Sequence, residues 1–171
     1  MLNPQTPAAP GVQGRRDPLR WFWGRQRLVI VTPNVTLETT ELKYASRIEA
    51  VAEAAAAVSE FMNRIGVSED IAFGVDMAVR EAVTNAVVHG NKLDPAKAVQ
   101  LKLRNTPDSF EIVVHDEGPG FDLSQIPDPT NSENILKTSG RGIFFMRNFM
   151  DQVEWSPGAE GGTDVRMTKK L

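Results

Sequence analysis

The period of apolar and polar residues changes several times along this chain, and each change marks an element. Arg27 to Thr32 alternates and is β-branched, which predicts a strand closed by Pro33. A second short strand is expected near Thr36–Lys43. From about Ser46 to Ile65 the chain is alanine-rich. Ile48, Val51, Ala55, Val58, Phe61, Met62 and Ile65 recur there at helical spacing. Gly66 ends that helix as a C-cap. Ser68-Glu69-Asp70 then opens a second helix, with Ser68 as N-cap and acidic residues in the first turn. It is expected to run to about His89 and to stop at Gly90. Val99–Arg104 and Phe110–His115 read as strands joined by a turn at Pro107-Asp108. A helix fits Arg141–Met150, and strands fit Gln152–Ser156 and Thr163–Met167 around a hairpin loop at 157–162. The order is strand, helix, helix, strands, helix, hairpin. It predicts an α/β (α+β) two-layer sandwich, with helices on one face of a mixed, largely antiparallel sheet.

Two stretches carry no period. Residues 1–26 hold Pro4, Pro7, Pro10, Gly11 and Gly14 in quick succession and read as a flexible tail. Such a segment buries too little apolar surface to offset its ordering entropy. Within it, Trp21-Phe22-Trp23 sits among Arg15, Arg16, Arg20 and Arg25. These aromatics either pack on the domain edge or stay loose, or they meet a partner or a membrane surface. Residues 117–139 are polar and turn-rich, and a loop this long in a compact domain is usually functional or mobile. The remainder, 27–171, is expected to be one domain.

Composition removes several chemistries. The chain has 171 residues, 41% hydrophobic and 24% charged, which suits an ordinary soluble domain with its own core. There is no cysteine, so disulfides, thiolate metal sites and cysteine nucleophiles are excluded. His89 and His115 are the only histidines, too few for a histidine-rich metal site. A net charge of -3 gives no reason to expect direct nucleic-acid binding. The run Leu28-Val29-Ile30-Val31 falls far short of the roughly 20 apolar residues a membrane span needs. No signal-peptide core occurs in 1–26, so a cytoplasmic protein is expected.

Four segments carry candidate chemistry. Glu81 and Asn85 are four residues apart on the second helix, beside its apolar stripe. Two oxygen ligands there suit Mg²⁺, which keeps several waters and shares phosphate oxygens. Alone, an exposed polar pair is the simpler reading. His115-Asp116-Glu117-Gly118-Pro119-Gly120-Phe121 follows a strand, and Asp116 is placed to accept a hydrogen bond from the amino group of a base. Alone, it is a turn. Ser139-Gly140-Arg141-Gly142 precedes an apolar helix, where backbone amides form an anion site. Gly161-Gly162-Thr163 leads into the last strand and alone is a hairpin loop. There is no Walker loop, no dinucleotide fingerprint after the first strand and no protein-kinase signature set.

Taken together, the four segments resemble the GHKL ATPase/kinase superfamily of gyrase, Hsp90, histidine kinases and MutL, and within it the anti-sigma-factor serine/threonine kinases. Glu81-Ala82-Val83-Thr84-Asn85-Ala86-Val87-Val88-His89-Gly90-Asn91 is similar to the N box. Asp116-Glu117-Gly118-Pro119-Gly120 matches the first glycine box, Gly140-Arg141-Gly142-Ile143 the second, and Gly162-Thr163 the closing pair of the adenine pocket. The resemblance covers roughly residues 27–171 and implies the Bergerat ATP-binding fold. It implies that Asn85 ligates Mg²⁺ and that Glu81 is the general base for an attacking hydroxyl. It also implies that Asp116, helped by Thr163, binds the adenine amino group. Gly118 and Gly120 would shape the pocket floor, Gly140, Arg141 and Gly142 would hold the phosphates, and residues around 122–139 would form an ATP lid. His89 either lines the site or is a structural histidine near the helix end.

Among these relatives, the gyrase, Hsp90 and MutL types carry further domains for which this chain has no room. A sensor histidine kinase needs a helix with a phospho-acceptor histidine, and 46–65 has none. The resemblance therefore implies a kinase that sequesters a sigma factor, phosphorylates an anti-anti-sigma protein of the STAS fold and works as a homodimer. A second reading is a non-catalytic ATP-binding module that acts by sequestration. A third is a detached ATPase-like domain in a phosphorelay.

Overall fold

The alternating segments are strands, and the segments with helical apolar spacing are helices. A computed structural model describes residues 25–32, 35–120 and 141–171, with side chains at 38–120 and 142–171. In chain order the elements are β1 (Arg25–Thr32), β2 (Val35–Ala45), α1 (Glu49–Ile65) and α2 (Glu69–Thr84). A π-helical segment (Asn85–Gly90) follows, then β3 (Ala98–Asn105), β4 (Ser109–Asp116), α3 (Arg141–Phe149), β5 (Gln152–Pro157) and β6 (Thr163–Lys170). Residues 1–24, with Trp21-Phe22-Trp23, and residues 121–140, with the expected lid and Gly140, lie outside the described residues. Arg25 and Gln26, assigned to the tail from sequence, belong to β1 and pair with Leu42 and Glu41.

The sheet order is β1-β2-β3-β4-β6-β5, and every pairing between these strands is antiparallel. The expected mixed sheet is thus wholly antiparallel in its ladders. Connectivity explains this. Two helices between β2 and β3 carry the chain away and back, so β3 returns antiparallel. A single helix, α3, separates β4 from β5 and leaves them running the same way, but β6 inserts between them.

One face of the sheet packs on the helices. Val99, Leu101 and Leu103 of β3, Phe110, Ile112 and Val114 of β4, and Val165 and Met167 of β6 are buried there. They meet Val58 and Phe61 of α1, Val75, Val79 and Val83 of α2, and Met146 of α3. The rings of Phe61 and Phe110 stack with centroids 5.3 Å apart. Each such side chain contributes about 1.5–3 kcal/mol when fully buried. The opposite face is charged, with Lys102–Glu41 and Arg166–Glu111 pairs at 2.7 Å.

Gly66 closes α1 as expected, at φ 77°. The Gly66 N–H donates to the Asn63 carbonyl and the Val67 N–H to the Met62 carbonyl, the paired bonds of a Schellman cap. Ser68 stands extended before α2, but its hydroxyl makes no capping hydrogen bond. The far end of α2 differs from expectation. Helical bonding widens after Thr84, and the Asn91 N–H donates five residues back to the Ala86 carbonyl at 2.8 Å. Such π-helical insertions are rare and gather at functional sites. Lys92 and Leu93 then take left-handed backbone at φ 58° and 59°, which turns the chain toward β3.

Candidate nucleotide-binding site

Asp116 is the last residue of β4, and its position follows from alternation. Phe110, Ile112 and Val114 face the helices, so Asp116 faces them too and is 5% exposed. Its Oδ1 accepts the Gly118 N–H at 2.8 Å. Thr163, its partner in the β4–β6 ladder, donates to it through backbone and hydroxyl. Burial pushes the carboxyl above its ordinary value of 3.8, against the opposing pull of the Gly118 N–H, His115 and Thr163. Gly90 lies directly on this carboxylate. A Cβ there would stand 2.6 Å from both carboxylate oxygens, too close for any side chain. Gly118 in turn packs against the Gly90 carbonyl. A buried carboxylate with accepting capacity fits the amino group of a base.

This shift has a testable sign. A carboxyl whose folded pKa is raised binds its proton more tightly in the folded state. Its contribution to stability is therefore largest in acid and declines as pH rises between the ordinary and the raised value. Accepting from an amino group needs the ionised form, so nucleotide affinity should do the opposite. It should fall as pH drops through the raised pKa, starting above the 3.8 of a free side chain. ATP dissociation constants measured across pH in the parent and in Asp116→Asn check this. Superimposable pH profiles would remove Asp116 from adenine recognition.

Glu81 lies in the last turn of α2, and Asn85 is its C-cap and opens the π-helical segment. The Asn85 N–H is shared between the Ala82 and Glu81 carbonyls, so the pair keeps its one-turn spacing as the helix widens. Both side chains are half-buried. Gly142, in the first turn of α3, sits on Glu81 so closely that a Cβ would overlap the carboxylate. The first turn of α3 and the acidic end of α2 therefore face each other. Free amide groups in such a turn favour phosphate, and the adjacent Glu81 and Asn85 oxygens suit a hard cation shared with it. Arg141 begins α3, and only its backbone is described. Gly120, at φ 76°, and Gly162 come together across the turn after β4. His89 is exposed at the end of the π-helical segment.

Two positions escaped the sequence reading. Gly90 ends the helical segment as read from sequence, but the sequence reading missed its second role, close approach to the Asp116 carboxylate. Asn91 is fully buried. Its Nδ2 donates to the Ala98 carbonyl at 2.9 Å, and its Oδ1 accepts the Glu117 N–H at 2.8 Å. Glu117 completes the clasp by accepting the Ala98 N–H at 2.9 Å and pairing with Lys43 at 3.4 Å. Asn91 thereby ties the helix end to β3 and to the turn that carries Asp116. A polar residue directly after a helix-ending glycine was the available signal. On the outer face of the sheet, His115 Nδ1 lies 2.7 Å from Asp164 Oδ1, one ladder position from Asp116 and Thr163.

Comparison with known proteins agrees with this geometry. Residues 44–169 match the histidine kinase-like ATPase domain. The chain is 36% identical over 132 residues to an anti-sigma F factor of Oceanobacillus iheyensis, covering 76% of this chain and 90% of the relative. It is 33% identical over 134 residues to an anti-sigma F factor of Heyndrickxia coagulans, covering 77% and 91%. It is 31% identical over 137 residues to the serine-protein kinase RsbW of Bacillus subtilis, covering 77% and 84%. The chain belongs to the histidine kinase-like ATPase family and, within it, to the anti-sigma factors with serine/threonine kinase activity.

Proposed function

We infer that this chain binds ATP with Mg²⁺ and transfers the γ-phosphoryl group to a serine or threonine of a small anti-anti-sigma partner of the STAS fold. Phosphorylation then decides whether the chain holds a sigma factor or that partner. The observation that supports this most is the seat of Gly142 on Glu81, which sets a carboxylate against the turn suited to phosphate. ATP supplies the transferred group, and Mg²⁺ supplies charge neutralisation at its phosphates. Glu81 takes the proton of the incoming hydroxyl. Asn85 offers its amide oxygen to the cation. Asp116 and Thr163 hold the adenine, Gly118 and Gly120 form the pocket floor, and Gly140, Arg141 and Gly142 hold the phosphates. A homodimer in the cytoplasm completes the reading. No helix among the described residues is long and apolar enough to cross a membrane.

The direct test is phosphate transfer from labelled ATP to the STAS-domain proteins of the same genome, read by mass spectrometry. Modification of a serine or threonine is expected. No transfer to any of them would leave only nucleotide-dependent sequestration. Asn85→Ala should weaken ATP binding in the presence of Mg²⁺ by at least about 10-fold, and much less without it. Titrating nucleotide with and without the cation checks this, and equal metal dependence in both proteins would exclude Asn85 as a ligand.

A further inference from the structure

Seven large apolar side chains are exposed among the described residues, and four of them, Phe73, Met77, Phe144 and Phe145, lie on α2 and α3. Phe73 is 65% exposed, Phe145 40% and Met77 37%. The two helices pack antiparallel, because Phe149 sits on Gly74 at one end and Gly142 on Glu81 at the other. Phe149 meets Phe73 edge-on at 6.3 Å and stacks on Phe145 at 6.3 Å, and Phe145 meets Phe144 at 6.1 Å. The rings thus form one contiguous strip across both helices. Scattered exposed apolar residues need no explanation, but a contiguous aromatic patch marks a surface that meets something.

The strip has a direction. On α2, Phe73, Met77 and Glu81 recur every four residues and share a face. On α3, Phe149 and Phe145 continue in the same way to the first turn at Arg141 and Gly142. Both rows therefore end where the acidic residue meets the phosphate-binding turn. Along the axis of α2, Met77 and Phe73 stand about 6 and about 12 Å from Glu81.

We propose that this strip is the docking surface for the protein that receives the phosphoryl group. The inference rests on the kinase reading given above. A protein hydroxyl must arrive beside Glu81, and whatever carries it must cover the surface next to Glu81. That surface is apolar and aromatic, the kind that anchors protein partners. The occupant is a folded protein with an apolar side chain about 6–12 Å from its acceptor serine or threonine, the span of one to two helical turns. A second copy of this chain seated on the strip would cover Glu81 and exclude the hydroxyl, so the direction of the strip favours the substrate.

The test compares steady-state transfer by the full chain, F73Q/F145Q and F73L/F145L. The acceptor is the STAS-domain protein that the unsubstituted chain phosphorylates. In F73Q/F145Q the KM for the protein acceptor should rise at least about tenfold. Its ATP dissociation constant, melting temperature and transfer rate at saturating acceptor should stay unchanged. F73L/F145L, which keeps an apolar surface, should recover most of the loss. An unchanged KM in F73Q/F145Q overturns the docking surface while leaving the kinase reading intact. So does a loss of self-association in sedimentation without a change in KM, since it assigns the strip to a second copy. Absence of transfer by the unsubstituted chain to every STAS-domain protein removes the kinase reading, and this inference falls with it.

Discussion

Glu81→Gln is expected to lower phosphoryl transfer by about 10²–10⁴-fold, the usual contribution of a positioned base, while ATP stays bound. Glutamine has nearly the shape of glutamate, so the seat of Gly142 on position 81 is retained. What changes is the capacity to take a proton. The substitution also removes a negative charge from beside the first turn of α3, the proposed seat of the phosphates. Coulombic repulsion between Glu81 and the phosphates therefore falls, and ATP affinity should hold or rise. Transfer from labelled ATP to a STAS-domain acceptor, together with nucleotide titration of both proteins, separates the two effects. Transfer surviving unchanged would reduce Glu81 to a packing residue beneath Gly142. Equal losses of transfer and of ATP binding would point to a disturbed pocket.

The helical stripe of 46–65 and the alternation of 99–104 and 110–115 were legible because burial on one face imposes its period on the sequence; Ile48, expected in that stripe, instead stands exposed just before α1 begins at Glu49. Val99, Leu101, Leu103, Phe110, Ile112 and Val114 are buried in the order the alternation predicts. The ladder between β4 and β6 was not legible, because register is set by long-range pairing and leaves no local mark. The π-helical segment was also hidden. One extra residue per turn keeps an apolar stripe nearly intact, as Ala82, Val83, Ala86 and Val87 show by all being buried. For the site, the four glycine-rich or acidic segments were visible but unconnected, and the resemblance joined them. Their physical connection runs through contacts of single atoms, Gly142 on Glu81 and Gly90 on Asp116. A glycine needed for close approach looks the same in sequence as one that ends a helix.

Asn91→Ala is expected to destabilise the fold by about 2–6 kcal/mol, because the Ala98 carbonyl and the Glu117 N–H each lose a hydrogen-bond partner at about 1–3 kcal/mol. Asn91 is fully buried, and its amide serves the Ala98 carbonyl and the Glu117 N–H at once. Alanine satisfies neither. Asn91→Asp keeps an acceptor for Glu117 but sets a buried charge against the Ala98 carbonyl, so it should not rescue. The consequence reaches the nucleotide, because Glu117 follows Asp116 directly and Gly90 precedes Asn91. Loosening the clasp frees both sides of the contact between Gly90 and the Asp116 carboxylate. ATP affinity should therefore fall in Asn91→Ala even at temperatures where the chain remains folded. Urea denaturation measures the first effect and nucleotide titration well below the melting transition the second. Lost stability with unaltered ATP affinity would make Asn91 a fold determinant alone. A stability change within a few tenths of a kcal/mol would show that water replaces both hydrogen bonds, and that the end of the N-box helix is held to the sheet by packing instead.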